Sequence, residues 1–174
     1  MRRRVFAVLA ALSAAAAAEE APPAGVCNTE RAPATAPAER FAPRADGTLQ
    51  DRRTGLIWRA CPEGLRGPAC REGEPLRLDW AAALRLPAAL AARGEPGWRL
   101  PNVRELASLV ELQCSRPALA PERFAGVGEL PVWSASPYHF YTHYGWYVDF
   151  GEGAQTYDER IRAKGVWLVR EAAP

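Results

Sequence analysis

The rhythm of apolar and polar positions divides this chain into an irregular start, two helical stretches and a strand-rich end. From Asp46 to Trp58 the pairs Asp46-Gly47 and Thr54-Gly55 mark turns, and Leu56-Ile57-Trp58 reads as a short buried strand. Residues 61–75 are rich in Pro and Gly and read as a loop. Asp79 is placed to cap a helix from Trp80 towards Arg93, because its carboxylate can accept the free N–H groups of the first turn. Pro87 lies inside that run and is expected to kink or split it, since proline lacks the N–H and crowds the preceding turn. A second helix should start at Asn102 and end near Gln113. Asn102 with Glu105 three residues on is a capping box, and Val103, Leu106, Ala107 and Val110 share one face. Beyond Pro117 the pattern shortens to strands. Val132-Trp133-Ser134 is one, and Val166 to Val169 is expected to be the last. Trp146-Tyr147-Val148-Asp149-Phe150 alternates and runs into a Gly151-Glu152-Gly153 hairpin turn. Strands, two helices and more strands, with no internal repeat, predict an α+β domain.

The first 44 residues follow another logic. Arg2, Arg3 and Arg4 precede the apolar run Val5–Leu12 and the small residues Ala14–Ala18. That order predicts a signal peptide over 1–18, too short in its apolar part to span a bilayer. Residues 19–44 read as an extended Pro/Ala-rich arm outside the core, and 45–172 as one domain. Export changes the charge argument. The chain has 22 basic and 20 acidic residues; the signal carries three arginines and no acid, so 19 face 20 after its removal. A balance near zero gives no reason to expect nucleic acid as a partner. No later segment is long and apolar enough to span a membrane.

Four cysteines, Cys27, Cys61, Cys70 and Cys114, in an exported chain favour disulfides. Three pairings are possible. Cys61 and Cys70 flank the Pro/Gly-rich loop and suit a local staple, which would leave Cys27 for Cys114. Four thiolates on zinc are the alternative, and the lack of any C-x-x-C pair counts against it.

Five segments together resemble a known family. Asp51-Arg52-Arg53-Thr54-Gly55-Leu56-Ile57-Trp58 is similar to its opening D-x-x-T-G-L-x-W, and Trp98 to Leu106 is similar to its W-R-L-P-N-x-x-E-L. Trp133-Ser134-Ala135-Ser136-Pro137 resembles its W-S-S-S-P. Trp146 to Phe150 and Val166 to Arg170 resemble its closing strands. The family is that of the Lcl C-terminal domain, and the resemblance covers about residues 46–170. It implies a C-type-lectin-like fold: two helices, a twisted antiparallel sheet and long loops, stapled by disulfides. It also implies a secreted or periplasmic role in binding or adhesion. The member that names the family binds sulfated glycosaminoglycans. This chain has no collagen-like repeat, no Glu-Pro-Asn or Gln-Pro-Asp sugar-binding tripeptide, and no cysteine pair like that of the related formylglycine-generating enzymes.

The candidate chemistry lies near the end of the chain. Eight of the sixteen aromatic residues fall between Trp133 and Phe150. Tyr138, Tyr141 and Tyr144, interleaved with His139 and His143, offer flat apolar faces with polar tips, which suits a sugar or a protein surface. Arg104 can bind sulfate or carboxylate through its fork of donors. Asp149 completes the set of candidate ligand-binding residues. Ser134 or Ser136 with a histidine and Asp149 can be written as a triad, but no nucleophile elbow accompanies them. Asp149, Glu152, Asp158 and Glu159 could offer oxygens to calcium. The expectation is a non-catalytic binding module with no catalytic residue, cofactor or metal, recognising polysaccharide or a cell-surface or envelope protein. The alternative is an envelope assembly component that uses the aromatic loop as a protein interface.

Overall fold

A computed structural model describes residues 26–30 and 33–172. The expected signal peptide and the first residues of the arm lie outside these. The chain runs through β1 (Val26–Cys27), β2 (Phe41–Pro43), β3 (Thr48–Asp51), β4 (Ile57–Arg59), β5 (Leu65–Arg66), β6 (Glu72–Gly73) and β7 (Arg77–Leu78). Then come α1 (Trp80–Ala91), α2 (Val103–Ala107), β8 (Cys114–Ser115) and α3 (Pro121–Phe124). The last strands are β9 (Pro131–Pro137), β10 (Tyr144–Asp149), β11 (Ala154–Glu159), β12 (Lys164–Gly165) and β13 (Val169–Arg170).

Two sheets carry the fold. One has the order β11-β10-β9-β12-β7 and is antiparallel except where β12 meets β9; the other has the order β13-β4-β3-β2 and is antiparallel throughout. β1 pairs with β8 and β5 with β6 in two small ribbons. The mixed, mostly antiparallel architecture with few helices agrees with the α+β expectation.

Because strand side chains alternate, the five-stranded sheet buries both faces. On one face Val132, Val148 and Phe150 join Trp58, Leu106, Phe124 and Trp167 in the larger core. On the other, Trp133 and Tyr147 meet Ala83, Leu90, Trp98 and Leu100 in a smaller one. α2 lies on the first face, against β9, β10 and β11, and α1 on the second.

Four local expectations change. The Val166–Val169 run is not one strand. Lys164–Gly165 ends the first sheet and Val169–Arg170 belongs to the second, and the fully buried segment between them crosses from sheet to sheet. Its side chains alternate between the two cores: Val166 and Leu168 enter the smaller, Trp167 and Val169 the larger. Its backbone is met by the end of β4 and the loop that follows it, through Arg59 N–H to Leu168 O (3.0 Å) and Glu63 N–H to Val166 O (2.8 Å).

α1 passes Pro87 as one helix. The ring removes the donor to the Ala83 carbonyl, but Ala83 and Leu90, two turns apart, are both buried in the smaller core, and Asp79 accepts Ala82 N–H at 2.7 Å. α2 keeps its capping box yet stops at Ala107. The chain turns there to bury the Glu111 carboxylate, which accepts N–H bonds from Thr35, Ala36 and Gln113. The same carboxylate draws the described end of the arm into the core, where Ala36, Arg40 and Phe41 are buried. Low-complexity composition did not reveal that capture.

The disulfides are Cys27–Cys114 and Cys61–Cys70. The only lysine, Lys164, is buried with Nζ 2.6 Å from Asp158 and 3.8 Å from the Tyr147 ring centroid. Lys164→Gln leaves Asp158 half-buried without its cation and removes the contact with the ring. An expected loss of about 2 kcal/mol would show as a lower midpoint in urea unfolding with an unchanged slope.

Candidate functional site

The loop between β9 and β10 carries the aromatic cluster and is held from beneath. Arg160, just past β11, donates its backbone N–H to His143 O (2.9 Å) and Nε–H to Tyr144 O (3.0 Å). Its guanidinium lies 4.0 Å from the Trp80 ring centroid. Trp80 in turn donates its indole N–H to Ser134 O at 2.8 Å. Gly145 admits this ring: a Cβ there would stand 3.0 Å from Trp80 Cδ1 and Nε1. Trp80 thus braces the loop from the α1 side of the sheet.

The rings gather on the opposite side. Tyr144, Trp146 and Val148 alternate onto the α2 face of β10, and the register sets Tyr157 of β11 opposite Trp146 and Gln155 opposite Val148. α2 covers Val148; the rings lie further along the same face. Tyr138 is the hub. It stacks on Tyr157 at 4.0 Å between centroids and 20° between planes, meets Trp146 edge-on at 5.3 Å, and lies 6.1 Å from Tyr141. Desolvation, then the Tyr157 hydroxyl, raises the Tyr138 pKa above the ordinary tyrosine value. The outer rings remain open to solvent, Phe140 by 70 %, Tyr141 by 55 % and Tyr157 by 43 %. His139 packs on Phe140 at 3.8 Å and His143 on Tyr144 at 4.6 Å, both imidazoles being exposed.

Of the residues singled out from sequence, Tyr138, His139, Tyr141, His143 and Tyr144 are brought together in one aromatic ledge. Arg104 belongs to α2, packed on the same face, and among the described residues its guanidinium has no acidic partner. Arg99 is committed: it donates to both Glu105 oxygens at 2.8 Å and to Glu171 at 2.6 Å, and these bonds, Glu105 first, raise its pKa. Asp149 is not part of the ledge. It sits at the far end of β10, five residues from Tyr144 or roughly 17 Å, where its carboxylate accepts Gly151 N–H at 2.8 Å and shapes the hairpin turn.

The written triad is not assembled. Ser134 is buried and donates to Trp146 O, Ser136 accepts Val103 N–H, and the histidines lie at the opposite end of β10 from Asp149. The four acids considered for calcium are engaged separately: Asp149 in its turn, Glu152 by Arg116, Asp158 by Lys164 and Glu159 by Arg162. Among the described residues no group of three or more His, Cys, Asp or Glu is placed to hold a metal ion, and no helix is long and apolar enough to cross a membrane.

Tyr157 was missed from sequence: a turn centred on Gly151–Gly153 would set Asp158 opposite Trp146, whereas the loop takes in Phe150 as well, pairing Asp149 with Ala154 and therefore Trp146 with Tyr157. No curated protein matches the chain. The model of the Lcl C-terminal domain matches residues 47–170, more than half of the sequence and the whole span from β3 to β13. The chain therefore belongs to the Lcl C-terminal domain family.

Proposed function

We propose that the chain is an exported, non-catalytic binding module of C-type-lectin-like fold that recognises polysaccharide at the aromatic ledge. The observation that carries the reading is the open half of the ring cluster. Phe140, Tyr141 and Tyr157 pack against Tyr138, and Tyr157 also against Trp146, while staying exposed outside the core. Preformed flat faces with hydroxyl tips suit the apolar faces and edge hydroxyls of a sugar ring, and little side-chain entropy remains to be lost on binding. Export rests on the N-terminal pattern and on two disulfides, which persist in oxidising compartments. The fold reading rests on the mixed architecture, its long loops and the family.

The second reading, a protein interface in an envelope assembly, has one observation of its own. Phe140 is the most exposed ring and has no polar tip, which favours a protein partner over a sugar. A glycan array spanning neutral and acidic polymers separates the two. The expected result is retention on a defined subset of glycans, weakened about tenfold in Tyr141→Ala and Tyr157→Ala. Silence across the array, with one stoichiometric protein recovered from envelope extract, would replace the first reading with the second.

A further inference from the structure

β11 is an edge strand left open to pairing. In the five-stranded sheet it is bonded only to β10, and the register runs unbroken from Tyr144 opposite Glu159 to Asp149 opposite Ala154. A proline, a lysine or a bulge commonly spoils such an edge; the strand Ala154–Glu159 has none of the three. The other outer strands of the two main sheets are shorter. β7 and β13 have two residues each, and β2 has three and ends on Pro43. Arg99 also exchanges both backbone bonds with Val169 of β13 (2.9 and 3.0 Å).

Backbone pairing decides which groups the free edge offers. In an antiparallel ladder alternate residues bond to the neighbouring strand, and those between them point away. Arg160 N–H donates to His143 O at 2.9 Å. Counted in twos from that bond along the register, Asp158, Thr156 and Ala154 face β10, whereas Glu159, Tyr157 and Gln155 face outward. Glu159 is already satisfied: its N–H donates to the Asp158 carboxylate (2.8 Å) and its carbonyl accepts Arg162 N–H (2.9 Å). Among the described residues the main-chain groups of Gln155 and Tyr157 have no partner, and both residues are exposed.

Two donors and two acceptors on residues two apart form a self-complementary set. Turned antiparallel about Thr156, a second β11 sets its Tyr157 opposite Gln155 and its Gln155 opposite Tyr157, and every free group is bonded. A register centred on Tyr157 would instead spend two bonds on Glu159, whose groups are taken. Antiparallel pairing also separates charge. Asp158 meets the partner's Ala154, so the two Asp158 carboxylates stand about 13 Å apart along the strands; parallel strands would set them side by side.

We infer that β11 is a docking edge for a second copy of this chain, joining the two five-stranded sheets edge to edge about a two-fold axis at Thr156. This goes beyond the polysaccharide reading and holds whatever the ledge binds. It also completes the ledge. Both copies place Tyr157 on the α2 side of the joined sheet, and the partner's Tyr157 is the diagonal neighbour of Tyr157, about 7–8 Å away. Each aromatic surface thus gains a ring from the other copy.

Sedimentation of the exported protein, disulfides intact, from micromolar to millimolar concentration should show a reversible monomer–dimer equilibrium. As the dimer forms, amide exchange should slow at Gln155 and Tyr157, while Thr156 and Asp158, already bonded to β10, stay unchanged. Gln155→Pro removes an outward N–H that the ladder with β10 does not use, so the fold should persist. The dimer loses two bonds and should weaken more than about tenfold. Thr156→Lys sets like charges opposite each other on the axis and should weaken it about fivefold. Mixing Thr156→Lys with Thr156→Glu should restore it, which misfolded variants could not do. A protein that stays monomeric throughout would overturn the proposal, as would a dimer in which the Gln155 and Tyr157 amides exchange as in the monomer. So would a dimer that Phe140→Ala dissolves and Thr156→Lys leaves intact, because the rings alone would then hold it.

Discussion

Asp51→Ala is expected to cost about 3–5 kcal/mol of stability, the largest effect of any single substitution considered for this fold. Asp51 is completely buried. One oxygen accepts Arg40 Nε–H (2.6 Å) and Arg53 N–H (2.9 Å); the other accepts the Arg40 terminal nitrogen and the Thr54 hydroxyl (2.6 Å). Arg40 spends its remaining donors on Ser108, O and Oγ, at the end of α2. The pair thus ties the arm, the turn after β3 and α2 together, and removing the carboxylate strands a buried guanidinium. Chemical unfolding with both disulfides intact should show the loss. The double variant Arg40→Met/Asp51→Leu should lose less than Asp51→Ala, because most of the cost lies in the uncompensated charge. A single-variant loss under 1 kcal/mol would contradict this account.

The same carboxylate sets the acid response. Burial pushes the Asp51 pKa up, but hydrogen bonds from Arg40, Thr54 and Arg53 N–H outweigh it and hold the carboxyl below its ordinary value. Glu111 and Asp158 follow the same balance, and Arg99 lowers Glu105 directly. Each has a folded pKa below its unfolded one, so its contribution is complete above the ordinary carboxylate range near 4 and is lost as pH falls through the folded values. Glu63 has the opposite sign, raised chiefly by burial, so its ionisation costs stability as pH rises past its ordinary value. Four groups outweigh one, and unfolding midpoints should fall steeply below about pH 4.

The second large effect belongs to the long disulfide. Cys27 and Cys114 are 87 residues apart, against 9 for Cys61 and Cys70. In the loop-entropy account the long bridge contributes about 4.5 kcal/mol and the short one about 2.5. Cys27→Ser/Cys114→Ser should therefore lower stability more than Cys61→Ser/Cys70→Ser. Native β1 offers little to offset it, having two residues, one of them the highly exposed Val26. Equal losses for the two double variants would show that local packing, not chain entropy, governs both bridges.

Much of the site's address was legible. The Asn102–Glu105 capping box, the Asp79 cap, the alternation of Trp146, Val148 and Phe150 and the hairpin at Gly151–Gly153 are short-range patterns, and all appear in the structure. They rest on backbone groups within a few residues and on the two-residue strand period, so sequence suffices. The density of rings at 138–144 marked the ledge for the same reason: so many aromatics cannot all share one small core.

What sequence left open depended on partners distant along the chain. Whether Val166–Leu168 was a strand or a crossing turned on the existence of two cores, one on each face of the sheet. Whether residues 35–41 stayed outside turned on Glu111, some 75 positions away. Arg99 and Arg104 look alike in sequence, yet Glu105 and Glu171 close around one and leave the other open. Local hydrogen bonding and periodicity fixed the elements and pointed to the aromatic loop; long-range burial and charge pairing decided which of its neighbours are tied to a partner and which are not.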